Sequence, residues 1–292
     1  MTEPIGTVAT VDEGAQTIAD ARTIPGLSHE EATAMATVEL ERFLALLDEL
    51  EPEEWGTPTG CARWNVRQVV AHLAGSADAY SNFREFLRQG NGRLQRPYRE
   101  AGMSRLDAMN QIAVDDRADL TPTELIAQLR ERGPRAIRTR ERLPNVLRHL
   151  PVPLGKITPE IGRTWVPIRY LTDAILTRDM WMHRLDISRA TGRGMSLTPE
   201  HDGRVTALAV RDLAQGIDGE VDGGVIYALD GPAGGSWLVG PPPHRTLISL
   251  DALDFHLLAS GRLPLSEARG RLWIEGDPDL AERALQSTSV PY

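Results

Sequence analysis

Apolar residues recur at helical spacing through most of the first two hundred positions of the chain. Val38, Phe43 and Leu47 belong to such a series between residues 28 and 50, and they predict an amphipathic helix there. The same spacing predicts four further helices, over residues 65–89, 104–116, 122–142 and 168–190. The first part of the chain is therefore expected to be a helical bundle.

Polar residues at the ends of these stretches support the predicted boundaries. Ser28 with Glu31, and Asn65 with Gln68, have the three-residue separation of a capping box, which satisfies backbone donors at a helix start. Gly192 follows the last helical stretch in the manner of a C-cap. Residues 144–167 contain five prolines and predict a long irregular connection. Such a loop is often the rim or lid of a site, and we expect substrate specificity to depend on it.

After Gly194 the pattern changes to short alternating segments bounded by glycine and proline. It predicts strands over residues 224–230, 236–240 and 270–276, and helices over residues 198–217, 249–261 and 277–285. Helices followed by mixed strands and helices indicate an α+β protein of two domains. We expect a flexible leader over residues 1–27, a helical bundle over 28–195 and a small α/β domain over 196–292.

Composition narrows the class of protein. The net charge is −9 over 292 residues, which argues against nucleic acid as a partner because phosphate contacts need a basic surface. No apolar run is long enough to span a membrane, and residues 1–24 lack the order of a secretory signal, so we expect a cytoplasmic protein, a monomer or a homodimer. Cys61 is the single cysteine, which excludes an intramolecular disulfide. It is expected to pack in the interior rather than act as a nucleophile.

Three polar residues within the apolar stretches are candidates for a metal site. Asp179 and His183 are four apart in one predicted helix, so both side chains lie on the same face. His72 interrupts the apolar run Val69–Ala74 of another helix. Two imidazoles and a carboxylate are ligands that zinc accepts, with the fourth position left for water or substrate. The alternative is a core histidine bonded to Asp179, with His72 satisfied by a backbone carbonyl.

Two segments of the chain resemble one family. The first is Cys61-x-x-Trp64-Asn65-Val66-x-x-Val69-Val70-x-His72-Leu73-x-Gly75. The second is Arg178-Asp179-x-Trp181-x-His183-Arg184-x-Asp186-Ile187-x-x-Ala190-x-Gly192. They are similar to the second-helix and fourth-helix signatures of the mycothiol-dependent maleylpyruvate isomerase family, in the same order.

The resemblance implies a DinB-like four-helix bundle followed by a sterol-carrier-like α/β domain. It implies that His72, Asp179 and His183 hold Zn²⁺ or another divalent metal, and that mycothiol or a similar thiol is the cosubstrate. The isomerase has glutamate where this chain has Asp179, which is shorter by one methylene. The sterol-carrier-like resemblance rests on Gly261-Arg262 and on residues 270–277, and it implies an apolar pocket.

Other polar residues near these helices are candidates for supporting roles. A carboxylate substrate needs a cationic anchor, and three arginines flank the last bundle helix: Arg163, Arg169 and Arg178. Asp186, one turn beyond His183, is placed to orient that ligand, although a surface salt bridge is an equal alternative. Asn110 is a further candidate to point inward.

Three functions remain open from the sequence. The first is a metal-dependent enzyme that activates a small thiol for S-transfer to, or cis–trans isomerisation of, a small electrophile. The second is a non-catalytic protein that binds a small molecule in the C-terminal pocket. The third is a metal-dependent hydrolase.

Overall fold

A computed structural model describes residues 18–153, 165–217 and 219–292. It has a helical part followed by a part in which helices pack on a sheet, so the predicted α+β class is confirmed. None of its helices, over these residues, is both long and apolar enough to cross a membrane. The predicted boundary near residue 195 and the predicted leader as a whole stay predictions.

The helical part contains seven α-helices before the last one of the bundle. They are α1 (His29–Asp48), α2 (Val66–Ser81), α3 (Phe83–Gln89), α4 (Gly92–Glu100), α5 (Arg105–Asp115), α6 (Pro122–Glu141) and α7 (Asn145–Arg148). Both predicted capping boxes are present, at the starts of α1 and α2. The prediction that the second helix continues to Gln89 is wrong. At Asn82 the backbone turns extended (φ −139°), and the Asn82 side chain caps α3 instead.

The last bundle helix extends over the predicted stretch. It begins with the wider turns of a π-helix, Tyr170–Ile175, and continues as α8 (Leu176–Thr191). Gly192 ends it with φ of +70°, a left-handed conformation that favours glycine. Asp179 and His183 both lie in the regular part, so their four-residue separation places them on one face.

The irregular connection before this helix is only partly described. Residues 151–153 (β2) and 165–167 (β3) pair as a short antiparallel hairpin. The segment between them lies outside the described residues, and so does the predicted anchor Arg163.

The second part is built on a five-stranded sheet. Its remaining elements are α9 (Arg204–Gly216), β4 (Gly224–Asp230), β5 (Gly235–Val239), β6 (His244–Asp251), α10 (Ala252–Ala259), α11 (Leu265–Ala268), β7 (Trp273–Gly276) and α12 (Pro278–Gln286). The strand order is β1-β5-β4-β6-β7, where β1 is Ala19–Asp20. Residues 18–27 thus contribute an edge strand that runs parallel to β5, which differs from the flexible leader expected there.

Besides β1, strand β6 of this sheet is not predicted from the sequence. The helix predicted from Ser249 begins only at Ala252, and the residues before it form β6. Thr246, Ile248 and Leu250 alternate as buried positions in this strand, which is strand periodicity. Asp251 then caps α10 by accepting hydrogen bonds from two backbone N–H groups.

Helix α8 lies at the seam between two apolar cores. Trp181, Met182 and Leu185 pack into the core that includes the sheet. Ile187, on another face of the same helix, packs into the core of the bundle. Because α8 packs into both cores, its position is fixed relative to the bundle and to the sheet.

His256 is fully buried on α10 at this seam. Its Nε2 lies 2.9 Å from the Thr206 hydroxyl and its Nδ1 lies 2.6 Å from the Tyr292 hydroxyl. Burial, assisted by the positive charge of Arg178, lowers the pKa of His256 to about 3. The imidazole is therefore neutral in the folded protein at any pH above that value.

This neutral histidine predicts a specific pH dependence of stability. Below about pH 6.5 the unfolded chain protonates His256 while the folded chain does not, so acidification favours unfolding until about pH 3. We expect the free energy of unfolding to fall by up to about 1.4 kcal/mol per pH unit more in the wild type than in His256→Asn. Urea denaturation between these pH values measures this difference. His149→Asn, at an exposed position, should leave the pH dependence of the unfolding free energy unchanged. The same pH dependence in the wild type and in His256→Asn would contradict a neutral His256 in the folded protein.

Candidate metal centre

The structure brings together the three residues predicted as metal ligands. His72 Nε2 lies 3.2 Å from Asp179 Oδ2, and His183 Nε2 lies 3.5 Å from Asp179 Oδ1. One ligand atom from each residue lies within 4.8 Å of the other two. The site therefore joins α2 to α8 through side chains more than a hundred residues apart in sequence.

The burial of the three side chains leaves the site open on one side. His72 and His183 are 4% and 3% exposed, because the apolar faces of α2 and α8 carry them inward. The Asp179 side chain keeps 22% of its surface exposed. Asp179 is therefore the member of this set that solvent reaches, while the imidazoles are shielded from water.

The two histidine–carboxylate separations are close to those expected around one metal ion, with each histidine nearest a different oxygen of Asp179. Three ligands bound at about 2.1 Å to one tetrahedral metal lie about 3.4 Å apart, and the two histidine–carboxylate separations are 3.2 Å and 3.5 Å. Two imidazoles and one carboxylate are also a donor set found in catalytic zinc sites. The shorter aspartate thus reaches both histidines, although the isomerase of the resembling family has glutamate there.

Asp179 is an anion at neutral pH. Burial alone would raise its pKa, but the electrostatic interactions with His72 and His183 and the hydrogen bond with His72 outweigh burial and lower the pKa to about 2. The backbone carbonyl partner that a purely structural His72 would need is not found, because Nδ1 of His72 is buried without a hydrogen-bond partner among the described residues.

Asp186 contacts His183 within α8. Asp186 Oδ2 lies 2.9 Å from Nδ1 of His183, and the carboxyl group is almost fully buried. Burial would raise the pKa of Asp186, but hydrogen bonds from His183 and Arg262 outweigh it and lower the pKa. An ionised Asp186 accepts the Nδ1–H of His183, which leaves the lone pair of Nε2 facing Asp179. The alternative of a surface salt bridge does not fit a buried carboxylate.

Arg262 of the second part of the molecule completes this arrangement. Its Nε and Nη2 donate to the two oxygens of Asp186, at 2.7 and 2.8 Å. The loop before α2 packs so closely here that a Cβ at Gly60 would lie 3.1 Å from Asp186 Oδ1. A side chain from the second part of the molecule therefore contacts Asp186, the partner of the candidate ligand His183.

Two further side chains near the site were not assigned a role from the sequence. Trp64 stacks on His72 with ring centroids 4.9 Å apart, and its Nε1–H donates to Gln111 at 3.1 Å. Arg262 was noted only as part of a C-terminal resemblance. Trp64 lies in the first of the two family-like segments, so the sequence pointed to it. The Arg262–Asp186 contact joins residues 76 positions apart, and no local pattern indicates it.

The other predicted candidates lie elsewhere. Arg178 is buried on α8 and donates to Asp212 at 2.8 Å, on a different face from Asp179. Arg169 is exposed, and Asn110 is half-buried on α5. Arg262, whose charge acts on Asp179, is therefore the arginine that the structure places at this site.

Cys61 borders the site but is not an activated nucleophile. Burial raises the pKa of its thiol, and the carboxylates of Asp186 and Asp179 add to this effect although Arg262 opposes it. The thiol is protonated at neutral pH, and the side chain packs partly buried against the bundle core. A thiolate for chemistry at this site would have to come from another molecule.

A second cluster of potential ligands is already occupied by arginines. Glu39, His201 and Asp202 are all buried and their ligand atoms lie within 4.8 Å of one another. Arg184 donates to Glu39 at 2.7 Å and to Asp202 at 2.7 Å, and Arg42 donates to Asp202 at 2.6 Å. These cations neutralise both carboxylates, so the cluster is an ion-pair network rather than a second metal centre.

Comparison with known proteins agrees with this architecture. The family model of the mycothiol maleylpyruvate isomerase N-terminal domain matches residues 36–188, just over half of the chain. The crystal structure of the mycothiol-dependent maleylpyruvate isomerase is similar over 81% of this chain and 90% of that chain, with 17% identity and a TM-score of 0.52. A histidine-to-alanine mutant of that isomerase is similar over 86% of this chain and 95% of that chain, also with 17% identity, and a TM-score of 0.53. At this identity the two structures establish a shared fold. No curated protein matches the sequence significantly.

Proposed function

Since the chain belongs to the family of the mycothiol maleylpyruvate isomerase N-terminal domain, we propose that it is an enzyme that uses a divalent metal and a small thiol. The proposed metal is Zn²⁺ and the proposed cosubstrate is mycothiol or a similar thiol. The proposed reaction is S-transfer to, or cis–trans isomerisation of, a small electrophile. One observation carries the proposal: His72, Asp179 and His183 converge with separations that suit one metal ion.

The proposed roles follow from the contacts of each residue. His72, Asp179 and His183 would hold the metal. A metal bound there would lower the pKa of a thiol ligand and keep it as the nucleophilic thiolate near neutral pH. Asp186 fixes the tautomer of His183, and Trp64 covers the face of His72 and limits the access of water to that ligand.

Arg262 supplies positive charge beside the open side of the site. Its Nε and Nη2 are committed to Asp186, which leaves Nη1 as a donor for a carboxylate of the substrate. A substrate anchored in this way would lie next to Asp179, the one exposed member of the three proposed ligands. We therefore propose Arg262, rather than Arg169 or Arg178, as the anion anchor.

Thiol dependence separates this proposal from hydrolysis. With the metal-loaded protein and a cis-configured unsaturated dicarboxylate or another small electrophile, we expect turnover to require added mycothiol and to stop when the thiol is omitted. Disappearance of the electrophile and of free thiol is followed in the same reaction. Turnover that continues at full rate without thiol would indicate a metal-dependent hydrolase. Binding of the electrophile without turnover under any condition would indicate a binding protein.

A further inference from the structure

A second cavity, of about 550 Å³, lies on the side of α8 away from the metal ligands. Its walls come from β3, the π-helical turns before α8, helix α9 and the end of the chain, and they include Trp165, Tyr170, Arg178, Leu208, Arg211 and Pro291. None of His72, Asp179 and His183 lines it. The volume is in the range of cavities that bind small organic molecules.

The carboxylates in this cavity are already neutralised. Asp212 accepts a hydrogen bond from the Tyr170 hydroxyl at 2.7 Å and from Arg178 at 2.8 Å. Asp173, another lining residue, is paired with the buried Arg148. The negative charges of the wall are therefore not free to pair with further cations.

Two arginines of the wall, Arg211 and Arg169, have no ion-pair partner among the described residues. Arg211 is half-buried on α9, and no carboxylate of the described residues pairs with it. The Nε of Arg211 is buried without a hydrogen-bond acceptor among the described residues. Arg178 is paired through Nη1, but its Nη2 is also buried without an acceptor there, and the residue is only 2% exposed. Arg169 is the second guanidinium of the wall without an ion-pair partner in the described part of the chain. Unpaired cations in a concave, partly apolar cavity attract anions.

The rest of the lining suits an apolar or aromatic group. Trp165 is 60% exposed, which is unusual for an indole, and it lies at this cavity beside Val166 and Pro167. Leu27 and Leu208 add aliphatic surface from the segment before α1 and from α9. A ligand with an apolar body can cover these groups while its acidic end reaches the arginines.

We propose that this cavity is a binding site for a small organic anion with an apolar body, separate from the metal centre. Arg211 pairs with the acidic group of the ligand, and Trp165 and Leu208 contact its apolar part. Arg178 precedes the metal ligand Asp179 in sequence, so one turn of α8 contributes to both sites.

Anilinonaphthalene sulfonate, a fluorescent aromatic anion, tests the proposal on the full-length protein. We expect saturable binding of one dye molecule per chain, and a dissociation constant about 10-fold higher in Arg211→Gln, the loss expected for a charge-assisted hydrogen bond. Arg138→Gln removes the same charge from an exposed position on α6 and should bind as the wild type does. Ala174→Phe keeps the charge but fills the cavity, and it should also weaken binding.

Three controls make the outcome decisive. The uncharged analogue phenylnaphthylamine should bind with the same affinity to the wild type and to Arg211→Gln. The His183→Ala variant should bind the anionic dye normally, which distinguishes this cavity from the metal centre whether or not the proposed enzyme activity is found. Thermal unfolding followed by circular dichroism confirms that each variant is folded. Non-saturable binding, or equal affinity in the wild type, Arg211→Gln and Ala174→Phe, would overturn the proposal.

Discussion

The His72→Ala and His183→Ala variants are each expected to bind Zn²⁺ at least about 100-fold more weakly than the wild type. Loss of a residue that only orients a ligand already costs about 10- to 100-fold in metal affinity, and these variants remove a proposed ligand itself. The remaining His–Asp pair offers too few donors for a catalytic zinc site. Competition with a chromogenic chelator measures the affinity of each variant, and thiol-dependent turnover should be lost in parallel.

His201→Ala is the matched control for these two variants. His201 is also buried, and it lies 2.8 Å from the carboxylate of Glu39 in the second cluster of potential ligands. We expect its metal affinity to equal that of the wild type. A loss of metal in His201→Ala together with full metal occupancy in His183→Ala would indicate that the metal binds at the second cluster instead.

The Arg184→Met variant is expected to lose about 3–5 kcal/mol of unfolding free energy, the usual cost of breaking a buried ion pair. Arg184 is 2% exposed, and its partners Glu39 and Asp202 are fully buried. Methionine fills a similar volume but leaves these carboxylates short of their main cation. Because Glu39 lies on α1 and Asp202 lies before α9, the loss should affect the packing of the bundle against the sheet domain. Urea denaturation measures it.

Two comparisons isolate the charge effect of Arg184. Arg189→Met removes an exposed arginine from the same helix and should change stability by less than about 0.5 kcal/mol. Adding Glu39→Gln to Arg184→Met removes one of the carboxylates left without Arg184. The double variant should regain part of the lost unfolding free energy. An Arg184→Met variant as stable as the wild type would show that the network does not hold the two parts together.

Local sequence signals were sufficient for the helices that carry the proposed metal ligands. Asn65 with Gln68 specified the start of α2, and Gly192 specified the end of α8. Between these limits the helical repeat placed Asp179 and His183 on one face. His72 is a candidate from its place in an apolar run, and the family resemblance supports its proximity to that face, because spacing cannot relate two residues 107 positions apart.

The elements and contacts that were missed depend on tertiary packing. The sequence pattern leaves residues 244–248 of β6 unassigned and places its last residues, from Ser249, in a helix, because Leu250 and Leu253 also fit helical spacing when the sheet is unknown. The role of Arg262 depends on the docking of the sheet domain against α8, which no local pattern encodes. Arg178 was predicted to bind substrate, but its position on α8 turns it towards Asp212.

The supporting residues of the metal centre come from both parts of the molecule. His183 is oriented by Asp186 of its own helix, and Asp186 is held by Arg262 from the segment after α10. Gly60 permits the close approach of the loop before α2. The position of the second domain is therefore expected to control the chemistry of a site whose proposed ligands all belong to the bundle.

The metal content of the purified wild-type protein tests the central claim most directly. After saturation with Zn²⁺ and removal of excess metal, elemental analysis by mass spectrometry should find one zinc per chain. This zinc should be absent from a His72→Ala/His183→Ala double variant that remains folded. A wild-type protein that retains no divalent metal, or a double variant with the same zinc content, would contradict the proposed metal centre.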